Sequence, residues 1–189
     1  MTITTGHFLA VLTAILGDFV EINASGVIQL DTASFVDDEG KPTGETIKKT
    51  AFDQVALIGR LKPKGNEPGI FANVHCRTGV PTEGEYARGR TLLKWTIDGE
   101  LGTIEVQNDP STGAWGAFIG IGDKRVLLNG EEVVLESSDV DRLDNPGKAW
   151  LEFAKGDEGW YWGIDDSVKL HRVLDAALTS IQEGRRVAL

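Results

Sequence analysis

The spacing of apolar positions changes character along the chain, and each change marks an expected element. Residues 7–16 are apolar on nearly every face, which predicts a short buried helix closed by Gly17 at its C-terminal cap. Residues 19–30 (FVEINASGVIQL) alternate and are β-rich, so they predict a strand, or a bent strand pair broken at Ser25-Gly26. Residues 31–50 are polar, with Asp-Glu-Gly and Lys-Pro turn signals, and read as a loop or an exposed hairpin. Short β-type runs then follow at 54–61, 69–77, 92–97, 102–107, 115–121 and 125–128, separated by Gly, Pro, Asp and Asn. Residues 108–113 and Asn129-Gly130 carry hairpin-turn chemistry. After Asn145-Pro146-Gly147 the pattern turns helical over 148–154, and a glycine-rich acidic turn follows at 155–161. A last helix is capped by Asp165 or Asp166, carries Leu170, Leu174, Ala177, Leu178 and Ile181 at helical spacing, and ends at Gly184.

Strands spaced this closely leave no room for crossover helices, so the sheet is expected to be a mainly antiparallel meander. The architecture predicted is α+β: one mainly antiparallel open sheet with helices packed on one face, in a single domain over residues 1–189. Period two then sorts residues 70–77 onto two faces. Ile70, Ala72, Val74 and Cys76 are expected to meet the helices, and Phe71, Asn73, His75 and Arg77 to form a chemically mixed outer face suited to a ligand or a subunit contact.

Composition narrows the function. Glycine makes up 23 of 189 residues, above a usual share of about 7%, which favours turns and bulges over a helical bundle. The net charge of −10 and the absence of any Lys/Arg run longer than a pair such as Arg185-Arg186 argue against a nucleic-acid partner. A single Cys76 and no Cys/His cluster of zinc spacing leave neither a disulfide scaffold nor a metal site indicated, so a reducing cytosol is the expected compartment. Residues 8–16 (FLAVLTAIL) are too short to span a bilayer, and no Lys or Arg precedes them as a signal peptide would require. No membrane association is expected.

Three stretches together carry a resemblance. They are Thr5-Gly6-His7-Phe8-Leu9 at the first helix; Val74-His75-Cys76-Arg77-Thr78-Gly79-Val80-Pro81 with Leu93-Lys94-Trp95-Thr96-Ile97-Asp98-Gly99-Glu100 in the sheet; and Asp166-Ser167-Val168-Lys169-Leu170-His171-Arg172 with Gly184-Arg185-Arg186 at the end. In order and spacing they resemble the C-terminal substrate domain of the Gfo/Idh/MocA oxidoreductases, in the fungal branch that includes the Gal80-like regulators. Members of that family normally carry a preceding Rossmann domain and a catalytic Lys in a Glu-Lys-Pro motif. No Glu-Lys-Pro occurs here, and Gly120-Ile121-Gly122-Asp123-Lys124-Arg125 lacks the third glycine and a following helix, so no pyrophosphate site is evident and no cofactor is expected. The family's helix commonly pairs its His with an Asp a few residues on; the register puts Ala10 there, beside His7.

The resemblance thus implies the substrate half of an oxidoreductase without its cofactor half. One expected function is a cofactor-independent, non-redox isomerase, cyclase or lyase acting on a hydrophobic, oxygen-bearing small molecule, an intramolecular cycloaddition in a secondary-metabolite pathway being one form. Its catalytic residues would be His7, as general acid/base or donor, with His75 and Arg77 polarising a carbonyl, and Phe71, Asn73, Trp95, Trp160 and Trp162 would line the substrate site. The alternative is a Gal80-like binding or regulatory protein acting through the exposed sheet face. A homodimer through that face is expected under both. His171, beside the apolar stripe of the last helix, is assigned no role.

Overall fold

The computed structural model describes residues 2–62, 69–79, 91–109, 118–119, 124–134, 136 and 138–189. Most of the strand expected over 115–121, and residues 110–113 of the first expected turn, lie outside them. The chain divides into two compact units, residues 1–80 with 167–189, and residues 81–166.

The first unit opens with α1 (Thr2–Leu16), which continues directly into β1 (Asp18–Val27). Gly17 makes the reversal, at φ 104°, with its N–H bonded to the Thr13 carbonyl at 3.0 Å. The helix begins five residues earlier than its apolar pattern predicts. Thr5 and Gly6 are buried, and a Cβ on Gly6 would stand 3.6 Å from Leu174, so tertiary contact holds a β-branched, glycine-bearing turn that has little helical propensity of its own. β1 pairs antiparallel with β4 (Gln54–Lys62), β4 with β5 (Ile70–Arg77), and β10 (Val187–Ala188) closes the other side, giving the order β10-β1-β4-β5. The strand runs unbroken through Ser25-Gly26. Gly26 is used for close approach instead of a break, since a Cβ there would meet Ile181 and the Phe52 ring at 3.0 Å. Between β1 and β4 the polar segment is an exposed hairpin, β2 (Thr32–Val36) with β3 (Pro42–Lys48).

α3 (Ile164–Glu183) ends at Gly184, at φ 64°, whose N–H bonds the Ser180 carbonyl at 2.9 Å. At its start Asp166 reaches back from the first turn to accept the Gly163 N–H at 3.0 Å. The core of this unit joins Leu9 and Leu12 of α1, Ile22, Leu57, Leu61 and Val74 of the sheet, and Val173, Leu174 and Ala177 of α3. The two helices and the inner sheet face therefore make two layers, as the sequence predicts.

The second unit holds the four-stranded antiparallel sheet β6 (Lys94–Gly99), β7 (Gly102–Asn108), β8 (Lys124–Leu128) and β9 (Glu131–Glu132), followed by α2 (Asn145–Ala154). Asn129 and Gly130 turn β8 into β9 with φ of 52° and 85°, the mirror-image turn their side chains favour. Asp144 caps α2 by accepting from the Gly147 N–H at 2.8 Å, with Pro146 in the first turn, so the helix starts three residues before the predicted boundary. Where one sheet is expected, the described strands lie in two sheets and a separate hairpin. Alternation sets which face a residue takes, but it does not choose the neighbouring strand.

Candidate functional site

The register of β1, β4 and β5 turns the outer face of the first sheet into four rows. Glu21, Arg60 and Phe71 form one; Asn23, Ile58 and Asn73 the next; then Ser25, Ala56 and His75; then Val27, Gln54 and Arg77. Phe71, Asn73, His75 and Arg77 are all exposed, while Ala72 and Val74 between them are buried. The alternation read in the sequence is thus the alternation of the structure. Phe71 is 75% exposed, Val27 54% and Ile58 42%, so three large apolar side chains stand among amides and cations on an open surface.

Charge on this face is unevenly satisfied. The Glu21 carboxylate takes both Arg60 Nε at 3.4 Å and Arg186 Nη1 at 3.3 Å, which ties the β1–β4 row to the C-terminal tail. His75 and Arg77 have no ion pair among the described residues. They lie two residues apart along β5, so their side chains point the same way about 7 Å apart, with only Ala56 opposite His75. Asn73, His75 and Arg77 form a line of hydrogen-bonding groups beside an apolar strip.

His7 lies elsewhere. It is exposed on α1, and α1 packs on the inner face, where the Thr5 hydroxyl bonds the half-buried Cys76 thiol. The sheet therefore separates His7 from His75 and Arg77. Burial pushes the Cys76 thiol up from its ordinary value, against the smaller effect of Thr5, and leaves it a packing group. Trp95 is half-buried on β6, opposite Val106, and Trp160 and Trp162 are exposed after α2; these three belong to the second unit. Exposed His171 lies on α3.

Asp53, which no motif marks in the sequence, organises the base of the β2–β3 hairpin. Its buried carboxylate accepts the N–H groups of Gln29 and Leu30, each at 2.8 Å, and Lys49 Nζ at 3.0 Å. Those two backbone bonds first, and Lys49 after them, lower its pKa to about 2 despite burial. Its backbone also bonds Val27 and Thr78, so one residue fixes the ends of β1, β4 and β5 around the hairpin. The signal was an acid immediately before a strand, which reads as an ordinary turn residue. Among the described residues no group of three or more His, Cys, Asp or Glu is placed to hold a metal ion, and no helix is long and apolar enough to cross a membrane.

The family model of the Gal80p C-terminal domain matches residues 1–108. Among solved structures, a super-repressor mutant of Gal80p from Saccharomyces cerevisiae aligns with 100% of this chain and 49% of its own, with TM-score 0.73 and 19% identity. The transcriptional regulator Gal80p from Kluyveromyces lactis covers 98% of this chain and 44% of its own, with TM-score 0.68 and 21% identity. The aldose-aldose oxidoreductase from Caulobacter crescentus, complexed with glycerol, covers 97% and 46%, with TM-score 0.53 and 22% identity. No curated protein sequence matches. This chain spans about half the length of those solved chains, and at such identities the likeness is one of fold. That fold serves a transcriptional regulator and an oxidoreductase alike.

Proposed function

The chain belongs to the Gal80p C-terminal-domain family, and from that premise we propose that it works as a protein-docking domain, pairing with a second copy through the open face of the β10-β1-β4-β5 sheet. The observation that carries this reading is the exposure of Phe71, Ile58 and Val27 on one regular face beside Arg77. Large apolar side chains left open among hydrogen-bonding groups on a regular sheet face suit a mixed polar and apolar association surface. A regulatory role of the kind named for Gal80p, a transcriptional regulator, needs only such docking. The test is sedimentation equilibrium of the wild type and of Ile58→Glu with Phe71→Lys. Both side chains are exposed, so the fold should survive. A dimeric wild type and a monomeric variant support the reading; a variant of unchanged mass, or a monomeric wild type, overturns it.

A second reading, a non-redox enzyme for an oxygen-bearing small molecule, is favoured by the line of Asn73, His75 and Arg77. A partner seated on the face would enclose these donors and exclude water, and hydrogen bonds to a substrate oxygen strengthen in such a setting. In this reading His7 is not part of the site, since the sheet stands between. Native mass spectrometry of the dimer distinguishes the two: a stoichiometric small molecule lost on Arg77→Ala supports the enzyme, and a dimer of bare protein mass supports docking alone.

A further inference from the structure

A second surface, in the other unit, carries chemistry that the docking face does not. Trp150 and Phe153 on α2, and Trp160, Tyr161 and Trp162 after it, are all exposed, the first and third about 70% so. Trp150, Phe153 and Tyr161 pack together, and Trp160 and Trp162 flank Tyr161 along the chain. Phe153 meets Trp150 edge to face at 5.8 Å and Tyr161 at 5.4 Å between ring centroids. The Glu152 carboxylate accepts the Trp160 N–H at 2.9 Å, which holds the returning chain against the helix. Gly159 allows that approach: a Cβ there would sit 1.9 Å from the Glu152 carbonyl oxygen. The chain carrying Trp160, Tyr161 and Trp162 is thus held against α2, and the five rings are left open to solvent.

The surroundings are acidic. Residues 136–166 carry nine Asp or Glu against three Lys or Arg, a net charge of −6. The three cations already pair locally, Lys148 with Asp141, Lys155 with Glu152 and Arg142 with Asp139. Asp157, Glu158 and Asp165 have no ion pair among the described residues and flank the aromatic segment. Such rings attract cations through their faces, Trp most strongly, and unpaired carboxylates add to that attraction.

We propose that this aromatic platform binds a cationic amphipathic segment of another protein, its apolar side chains on the rings and its Lys or Arg on the acidic rim. A second copy of this chain is a poor occupant, because an isologous contact would bring two regions of like charge together. Size points the same way. Five rings about half exposed offer at most on the order of 500 Å², below the roughly 800 Å² per partner of a standard interface. That suits a segment better than a folded domain.

The test is fluorescence anisotropy of a short labelled amphipathic peptide of Leu and Lys, titrated with the full chain. A Leu/Glu peptide of the same pattern and a Lys/Ser peptide of the same charge serve as comparisons. The Leu/Lys peptide alone should bind, and Trp150→Ala with Trp160→Ala should weaken it by about tenfold or more. Asp157→Lys with Glu158→Lys should weaken it comparably without touching the ring packing, whereas Asp37→Lys with Asp38→Lys in the β2–β3 hairpin of the other unit should leave it unchanged. Equal binding of the Leu/Glu or Lys/Ser peptide, no binding of the Leu/Lys peptide, or indifference to either platform variant overturns the proposal. So would equal weakening by the hairpin variant, which means attraction to the net charge alone.

Discussion

Asp53 shows how much one side chain can hold. Its carboxylate satisfies two backbone N–H groups and a lysine while almost wholly out of water. Asp53→Asn keeps the size but exchanges one acceptor oxygen for a donor, which must then face a backbone N–H. We expect a melting temperature lower by several degrees at pH 7 and a loosened β2–β3 hairpin. The sign of the pH dependence follows from the folded pKa of about 2, below the unfolded value of about 3.9. The stabilising contribution is complete above the unfolded value and is lost as pH falls through the folded one, so it disappears between about pH 4 and pH 2. Thermal melts across that window should show a steeper loss in the wild type than in Asp53→Asn; parallel curves would remove Asp53 from this role. Gly59 is the steric counterpart. A Cβ there would stand 2.6 Å from the Glu21 carbonyl and 2.8 Å from the Phe19 ring, beside the register shift between Phe19 and Glu21. Gly59→Ala is therefore expected to cost about 1–3 kcal/mol by overpacking, read as a lower urea midpoint.

At the scale of elements, α3 is bound to the sheet by polar as well as apolar contact. Ser180 is fully buried; its Oγ accepts the Ala24 N–H at 2.8 Å and donates to the Arg185 carbonyl at 2.6 Å. β10 pairs with β1 only at Glu21 and Ile22, so Ala24 lies past the end of that ladder, and the hydroxyl takes the place of a strand partner. Ser180→Ala leaves the buried Ala24 N–H unpaired and also removes the bond to the Arg185 carbonyl, and is expected to destabilise by about 1–3 kcal/mol. Faster amide exchange at Ala24 would locate the loss, and unchanged exchange there would refute the assignment. Elements of this kind were unequally legible in the sequence. The apolar run of α1 buries Leu9 and Leu12 but leaves Ile15 exposed, the stripe of α3 buries Leu174 and Ala177 with its other members half-buried, the alternation of Ile70–Arg77 holds, and Asn129-Gly130 turns as its composition dictates. Partnership was not legible: Ser180 reads as a polar residue at a helix end, and its use depends on a strand 156 residues away. The candidate sites divide in the same way. Phe71, Asn73, His75 and Arg77 share a face because they share a strand, whereas His7 joins them only in the resemblance, which carries no information about the sheet between.

For the molecule as a whole, the two units are built with very different interiors. Among the described residues, every buried position except Leu93 and Asn108 belongs to residues 1–80 or 167–189. Apolar burial is the main term opposing chain entropy, so the first unit carries its own stability. The second unit has a four-stranded antiparallel sheet whose described strands are half-buried or exposed along most of their length. One of its internal fastenings is a polar side chain set on the backbone. Asn108 accepts the N–H groups of Leu92 and Leu93, at 2.9 and 3.1 Å, and so pins the start of β6 to the end of β7. Local opening follows sparse apolar burial, and in native-state hydrogen exchange the amides of β6, β7 and β8 should therefore open at lower free energy than those of β1, β4 and β5. Asn108→Ala removes the fastening, and it should accelerate exchange in β6 and β7 while leaving β4 and β5 untouched. Uniform protection across both sheets, or a rise in exchange that reaches β4, would mean instead that the units open as one.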